Sequence, residues 1–334
     1  MVGADLVRLA GQGILAALLI VGAPALWIVA LLAGVTGAAT GFFNPAATGL
    51  LPAVVGPERL YAANGLRATA MGGGEVLGPA VAGVLVATTS PGWALAIDAA
   101  TFAVSVAMLV RLRLPARLPR AATSFVTDLR GGWDAFRSRT WVWAFVAFAA
   151  FANLLWGAWS VLGPVVADRA LGGAAAWGAI LAALGVGAVL GGLAAIRTAP
   201  RRPLVTAALA FSTTAVPLAL LATEAAVALI ALGALVLGAG MFLGNSVWES
   251  TLQRHVPAAS LSRVSAYDWF GSLALQPLGL AIWGPTSVAI GIEASLWLAS
   301  ALFLASTLLL LAVPGIRRPT ATGPVESGPV PLAR

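Results

Sequence analysis

Ionisable and amide side chains are scarce in this sequence, and several sit inside long apolar runs, where each is a candidate for chemistry. Glu75 lies about midway along residues 61–88, and Asn64 and Met71 share its face, because eleven residues make almost three helical turns. A carboxyl there can take up and release a proton; hydrogen-bonded packing against a neighbouring helix is the competing reading. Asn245, Glu249 and Gln253 step by four along another run, with Trp248 and Trp269 near its end. An acid among aromatics can hold an amphipathic or cationic compound through charge and cation–π contact. The same residues also read as a polar cluster capping a helix beside Arg254 and His255. Asp98 reads as a structural acid that orients a neighbouring helix, or as a further site. Arg67 and Asp268 lie about two turns into their runs and form a candidate gate pair, with snorkelling of Arg67 to the interface as the alternative. His255 has no second ligand at metal-binding spacing. No Gly-Lys-Ser/Thr phosphate loop and no nucleophile–base pair is visible, so no metal, cofactor or enzyme activity is expected.

The elements that carry these residues follow from composition. Apolar residues make up 60% of the chain and charged residues 9%, against about 25% charged in soluble domains. Only a bilayer solvates such a chain, and the length of the runs favours spanning helices over barrel strands. Ten runs reach helix-spanning length: 6–23, 25–50, 61–88, 92–110, 141–166, 173–196, 204–222, 226–252, 262–287 and 292–312. Lys and Cys are absent, so the net charge of +7 comes from 19 arginines. With both termini in the cytoplasm, nearly every Arg falls inside or at an inner helix end, leaving Arg169 outside. The charge is therefore topological, and no nucleic-acid partner is expected. Gly37 to Gly41, Gly74 to Gly78, Gly187 to Gly191 and Gly240 to Gly244 have the spacing of close helix contacts.

The chain also repeats itself. Residues 30–83 slide by 201 positions, without a gap, onto 231–284, matching Asn44 with Asn245, Gly78 with Gly279 and Gly83 with Gly284. Asn64 falls on Ser265, Arg67 on Asp268 and Glu75 on Gln276, so an acid faces its twin amide. Asn44, Glu75, Asn245, Trp248, Glu249 and Gln276 are the cavity candidates, and Glu75 is the proton-coupling candidate. A parallel repeat of apolar segments is an architecture of secondary transporters.

The expected organisation is an incomplete N-terminal bundle at 1–110, a linker at 111–140, a six-helix bundle at 141–313 and a disordered cytoplasmic tail at 314–334. Within the linker, Phe125, Leu129, Trp133 and Phe136 recur at helical spacing, as in a helix lying on the membrane surface. The repeat lacks counterparts of 141–196 ahead of residue 1, so two helices and a basic loop are expected to be missing.

Phe42-Phe-Asn-Pro-Ala46, Leu60-Tyr-Ala-Ala-Asn64, Leu77-Gly-Pro-Ala-Val-Ala-Gly83, Ile97-Asp-Ala-Ala-Thr-Phe102, Gln253-Arg-His-Val-Pro257 and Arg263-Val-Ser-Ala-Tyr-Asp268 resemble the major facilitator superfamily. The likeness is to its enterobactin-exporter and macrolide-efflux-like bacterial branch. The resemblance implies an all-α integral membrane protein with two helical bundles, showing about ten of the usual twelve spanning helices. It also implies a bacterial inner-membrane exporter of small apolar or amphipathic compounds, drug- or siderophore-like, working by alternating access with the proton as coupling ion. The bilayer and a small-molecule substrate are then its partners. A truncated, non-transporting membrane protein or assembly partner is the alternative.

Overall fold

The computed structural model describes residues 1–22, 24–112 and 125–317. All ten expected runs are helical, because lipid supplies no partner for backbone N–H and C=O groups and a helix satisfies them within one segment. The first four are α1 (Val2–Val21), α2 (Leu26–Val55), α3 (Leu60–Thr88) and α4 (Pro91–Arg111), followed by the linker helix α5 (Phe125–Arg137). The rest are α6 (Thr140–Val166), α7 (Ala174–Arg197), α8 (Pro203–Ser212), α9 (Ala215–Ala222), α10 (Val227–His255), α11 (Ala258–Leu273), α12 (Gln276–Ile290) and α13 (Ile292–Ala312). Nine segments of the described residues are long and apolar enough to cross a membrane, with α8–α9 and α11–α12 each counting as one. The tenth expected span is α3, a 29-residue helix outside that set.

Two of the expected spans are broken. Proline lacks the N–H that would bond the carbonyl four residues earlier. Pro217 therefore leaves the Thr213 carbonyl without its helical partner, and α8 gives way to α9 at Thr213 and Thr214. Pro277 does the same to Leu273, the last residue of α11. Elsewhere glycines with positive φ stop the helices, at Gly56 (φ 73°) after α2 and at Gly291 (φ 90°) after α12.

Packing links the two halves of the chain. α1 lies against α4 and α2, whereas α3 lies chiefly against α7 and α10, and α2 lies against α11. The main apolar core belongs to the second half, where Phe145, Leu155, Trp159, Ile180, Leu218 and Ile230 are almost fully buried. Glycine permits the closest of these contacts. A Cβ at Gly187 or Gly191 would collide with the carbonyls of Leu235 or Ala239, and one at Gly240 with that of Ala210. Gly37, Gly41, Gly74 and Gly78 instead face open space, so those two spacings do not mark contacts.

The linker helix docks on the bundle. Trp133 stacks on Phe136 at 5.7 Å and meets Tyr267 of α11 at 5.5 Å. The Tyr267 hydroxyl donates to the Leu129 carbonyl at 3.0 Å. Past α13, Pro314–Arg317 form a 3-10 turn with Ile316 buried, so these first four residues of the expected tail are folded. The remainder of that tail lies outside the described residues.

Candidate functional site

α2, α3 and α10 meet near the arginine-bearing ends of the helices, marked by Arg59 and Arg254 and called the basic end below. Asn64 of α3 donates from Nδ2 to Gln253 Oε1 at 2.7 Å and to Ser250 Oγ at 2.9 Å, both on α10. Ser246 Oγ donates to the Asn64 carbonyl at 3.3 Å. Gln253 Nε2 donates to the Thr48 carbonyl of α2 at 3.3 Å. Outside this layer Arg254 donates to the Pro57 carbonyl at 2.7 Å and lies over the Tyr61 ring. Thr48, Asn64, Ser250 and Gln253 are all buried, and buried amides and hydroxyls hold their place through such bonds. The spacing of Ser246, Ser250 and Gln253 brings them onto one stripe of α10.

Small residues bring the backbones together along the same seam. A Cβ at Gly65 would lie 2.6 Å from the Ile196 amide nitrogen, one at Gly72 2.9 Å from Ala188, and one at Gly49 would strike Ser262 Oγ. Farther along α3, Gly73, Gly74 and Gly78 meet nothing within 4 Å. The two halves are therefore in close backbone contact through Gly49, Gly65 and Gly72.

Interleaved with this stripe, Trp248 and Glu249 of α10 meet Asp268 of α11 in a group of buried polar side chains. Trp248 Nε1 donates to Asp268 Oδ2 at 3.1 Å, and Ser272 Oγ donates to Oδ1 at 3.3 Å. The Trp248 ring stacks on Phe145 at 4.1 Å with 6° between planes. Glu249 is also buried, and its Oε2 has no hydrogen-bond partner. Arg67 attracts the Glu249 carboxyl, Thr48 faces it, and Asp268 is close enough for the two acids to repel.

The expected site residues fall in different surroundings. Among the described residues no ion pair joins Arg67 to Asp268; the acid is held by Trp248 and Ser272, and Arg67 acts on Glu249. Trp248 is not free to cradle a cation, because Phe145 covers its face and Asp268 takes its N–H. Met71 is exposed and does not share the buried surroundings of Asn64. Asn245 is exposed, while Asn44 and Gln276 are half-buried, with Gln276 at the α11–α12 break. The backbone of Glu75 lies in α3, and its side chain is outside the described residues. Asp98 accepts a 2.6 Å bond from Gln12 Nε2, which ties α4 to α1. His255 Nδ1 lies 3.0 Å from the Thr251 carbonyl. Among the described residues no three His, Cys, Asp or Glu side chains cluster as for a metal.

Sequence reasoning missed Thr48, Ser246 and Ser250 in the seam, because hydroxyls in apolar helices commonly bond their own helix and leave no pattern. It also missed the 2.7 Å pair of Arg8 with Asp5, which Ser105 and the rings of Phe43 and Phe102 surround. A recess of about 160 Å³ lined by Arg169, Glu224 and Glu293 lies at the opposite end, away from these layers.

A family model described as Major Facilitator Superfamily matches residues 2–275. No curated protein matches the chain in sequence. Among solved structures, the human organic anion transporter MFSD10 (TETRAN) is similar, with a TM-score of 0.75 at 16% identity, over 93% of this chain and 76% of that one. The E. coli fucose:proton symporter FucP superposes with a TM-score of 0.67 at 15% identity, over 93% and 82%. A structure of FucP in the outward conformation gives 0.61 at 17% identity, over 93% and 84%. At these identities the likeness bears on the fold.

Proposed function

Because the chain belongs to the major facilitator superfamily and is a multi-pass membrane transporter, not an enzyme, we propose that it is a proton-coupled exporter of small apolar or amphipathic compounds, drug- or siderophore-like. It works by alternating access in a bacterial inner membrane, with both termini in the cytoplasm. The observation that carries this reading is the seam of Asn64, Ser250 and Gln253, in which buried hydrogen bonds join the two halves of the chain at the basic end. A polar seal of this kind can break and re-form, since water replaces each bond when the halves separate. The concentration of arginines at the sealed end supports placing it in the cytoplasm. The buried Glu249 and Asp268 support a proton as the coupling ion, because intramembrane acids mark proton relays. The export direction is supported by the likeness of residues 42–102 and 253–268 to the exporter branch.

Ethidium is a suitable probe, being a flat amphipathic cation. Energised cells that produce the protein should extrude ethidium faster than vector controls, and a protonophore should abolish the difference. Extrusion that equals the control, or that survives the protonophore, would sink the reading.

A further inference from the structure

The linker helix α5 is amphipathic, yet its packing on the bundle leaves part of its apolar side open. Gly132 and Phe136 are buried against α11, where a Cβ on Gly132 would lie 3.0 Å from Arg263 and 3.1 Å from the Tyr267 ring. Leu129 and Trp133, one turn apart, stay 49% and 46% exposed. Trp133 stacks on Phe136 and meets Tyr267, and still keeps nearly half of its surface open. At about 100° per residue, the buried pair is followed round the helix by Leu129 and Trp133, then by the exposed Arg137 and Arg130. Asp134 comes next on the wheel, and among the described residues no ion pair joins it to either arginine.

The place of α5 on α11 decides what solvates that open edge. It packs along the flank of α11 and not across its end, because Arg263 is ~8 Å and Tyr267 ~14 Å of helix rise from Ala258, the first residue of α11. On the same stripe of α11, Arg263, Tyr267 and Phe270 pass from charged to amphipathic to apolar, and Phe270 is 79% exposed. An exposed phenylalanine on a spanning helix faces acyl chains, and the tyrosine and arginine above it mark the headgroup region. α5 therefore sits at the boundary of the two, with its open apolar edge in reach of acyl chains and its arginine edge in reach of headgroups. A soluble protein would meet Leu129 and Trp133 only by displacing lipid. Arg130, Arg137, Arg139 and Arg263 outnumber Asp134 among the described side chains of this corner, so the headgroup it fits is anionic.

We propose that α5 and α11 form a docking surface for an anionic phospholipid of the leaflet at the basic end. Arg130 and Arg137 hold its phosphate, and Leu129 and Trp133 lie against its acyl chains. The bond from the Tyr267 hydroxyl to the Leu129 carbonyl, 3.0 Å, fixes α5 in the position that presents both edges. The proposal goes beyond the exporter reading and needs only the bilayer that solvates this chain.

Native mass spectrometry of the full chain tests this, with the protein released from detergent micelles containing dioleoylphosphatidylglycerol or dioleoylphosphatidylcholine. The wild-type protein should retain the anionic lipid in preference to the zwitterionic one. Arg130→Gln combined with Arg137→Gln should lower that preference on the order of tenfold, since two arginines leave an anionic headgroup. Leu129→Gln should weaken retention of the anionic lipid as well. Arg201→Gln combined with Arg202→Gln removes the same charge from the exposed turn before α8 and should keep the wild-type preference. Glycerophosphoglycerol, the headgroup without chains, should not displace the lipid at equal concentration. Each substituted side chain is exposed, and matching melting curves show that the variants are folded. Equal retention of both lipids by the wild type, an equal loss in the Arg201 and Arg202 control, or displacement by the headgroup alone overturns the proposal. So does a dimer in size exclusion that the Arg130 and Arg137 variant dissolves, because a second copy would then cover the face. No transport step enters the readout, so missing ethidium extrusion would sink the exporter reading alone.

Discussion

Asn64 and Gln253 are 189 positions apart, and their side-chain amides are joined at 2.7 Å inside the protein. The pair connects α3 to α10, and with Ser250 it uses both protons of one Asn64 nitrogen. A contact so buried makes its own test. Asn64→Ala leaves Ser250 and Gln253 without that donor, at a cost of about 1–3 kcal/mol for a buried group left unsatisfied. Ser250→Cys should then react several-fold faster with a membrane-permeant maleimide in the Asn64→Ala background. Equal reactivity in both backgrounds would show that Asn64 does not hold the seam closed.

Gly65 sets how closely α3 approaches α7. A Cβ there would sit 2.6 Å from the Ile196 amide nitrogen and 2.8 Å from its side chain. Gly65→Val should keep the halves apart at the basic end, so membrane abundance persists while ethidium extrusion falls at least tenfold. Gly73 faces open space, so Gly73→Ala should extrude like the wild type. Matching extrusion by Gly65→Val and wild type would remove the close approach from the mechanism.

Trp248 contributes a stacked ring and a hydrogen bond, and substitution can separate them. Phenylalanine preserves an aromatic face for Phe145 but removes the donor to Asp268. Trp248→Phe should destabilise the protein by about 1–3 kcal/mol, the range for a buried acceptor left without its donor. Trp248→Ala should cost more, since the stacking is lost as well. Thermal unfolding in detergent reads both, and a Trp248→Phe curve identical to wild type would mean that Asp268 does not depend on the indole.

The orientation can be read chemically because the chain contains no Cys background. Thr198 follows α7 and Glu224 follows α9, at opposite ends of the bundle. An impermeant maleimide added to intact cells should label Glu224→Cys and leave Thr198→Cys unlabelled until the membrane is opened. The reverse pattern would invert the topology and place the Asn64 seam on the outside.

The sequence by itself determined the elements and their solvent. Apolar runs of spanning length are helical in any bilayer protein, since the backbone must satisfy itself, and all ten appear where the runs lie. The breaks beside Pro217 and Pro277 were not legible, because Pro45, Pro52, Pro164 and Pro285 remove the same hydrogen bond inside helices that continue. Tertiary structure alone decided what those helices bring together. Arg67 and Asp268 occupy equivalent repeat positions, but equivalence does not set the rotation of a helix against its neighbours, and packing gave Asp268 to Trp248 and Ser272. Asn64 and Gln253 each read as a polar residue in an apolar run, with nothing in either run to name its partner. Their meeting depends on Gly65, Gly72 and Gly192, which let α3 and α7 come into backbone contact beside α10. Helix formation is settled within a few residues of chain; the pairing of polar atoms waits on side-chain volumes contributed by several helices at once.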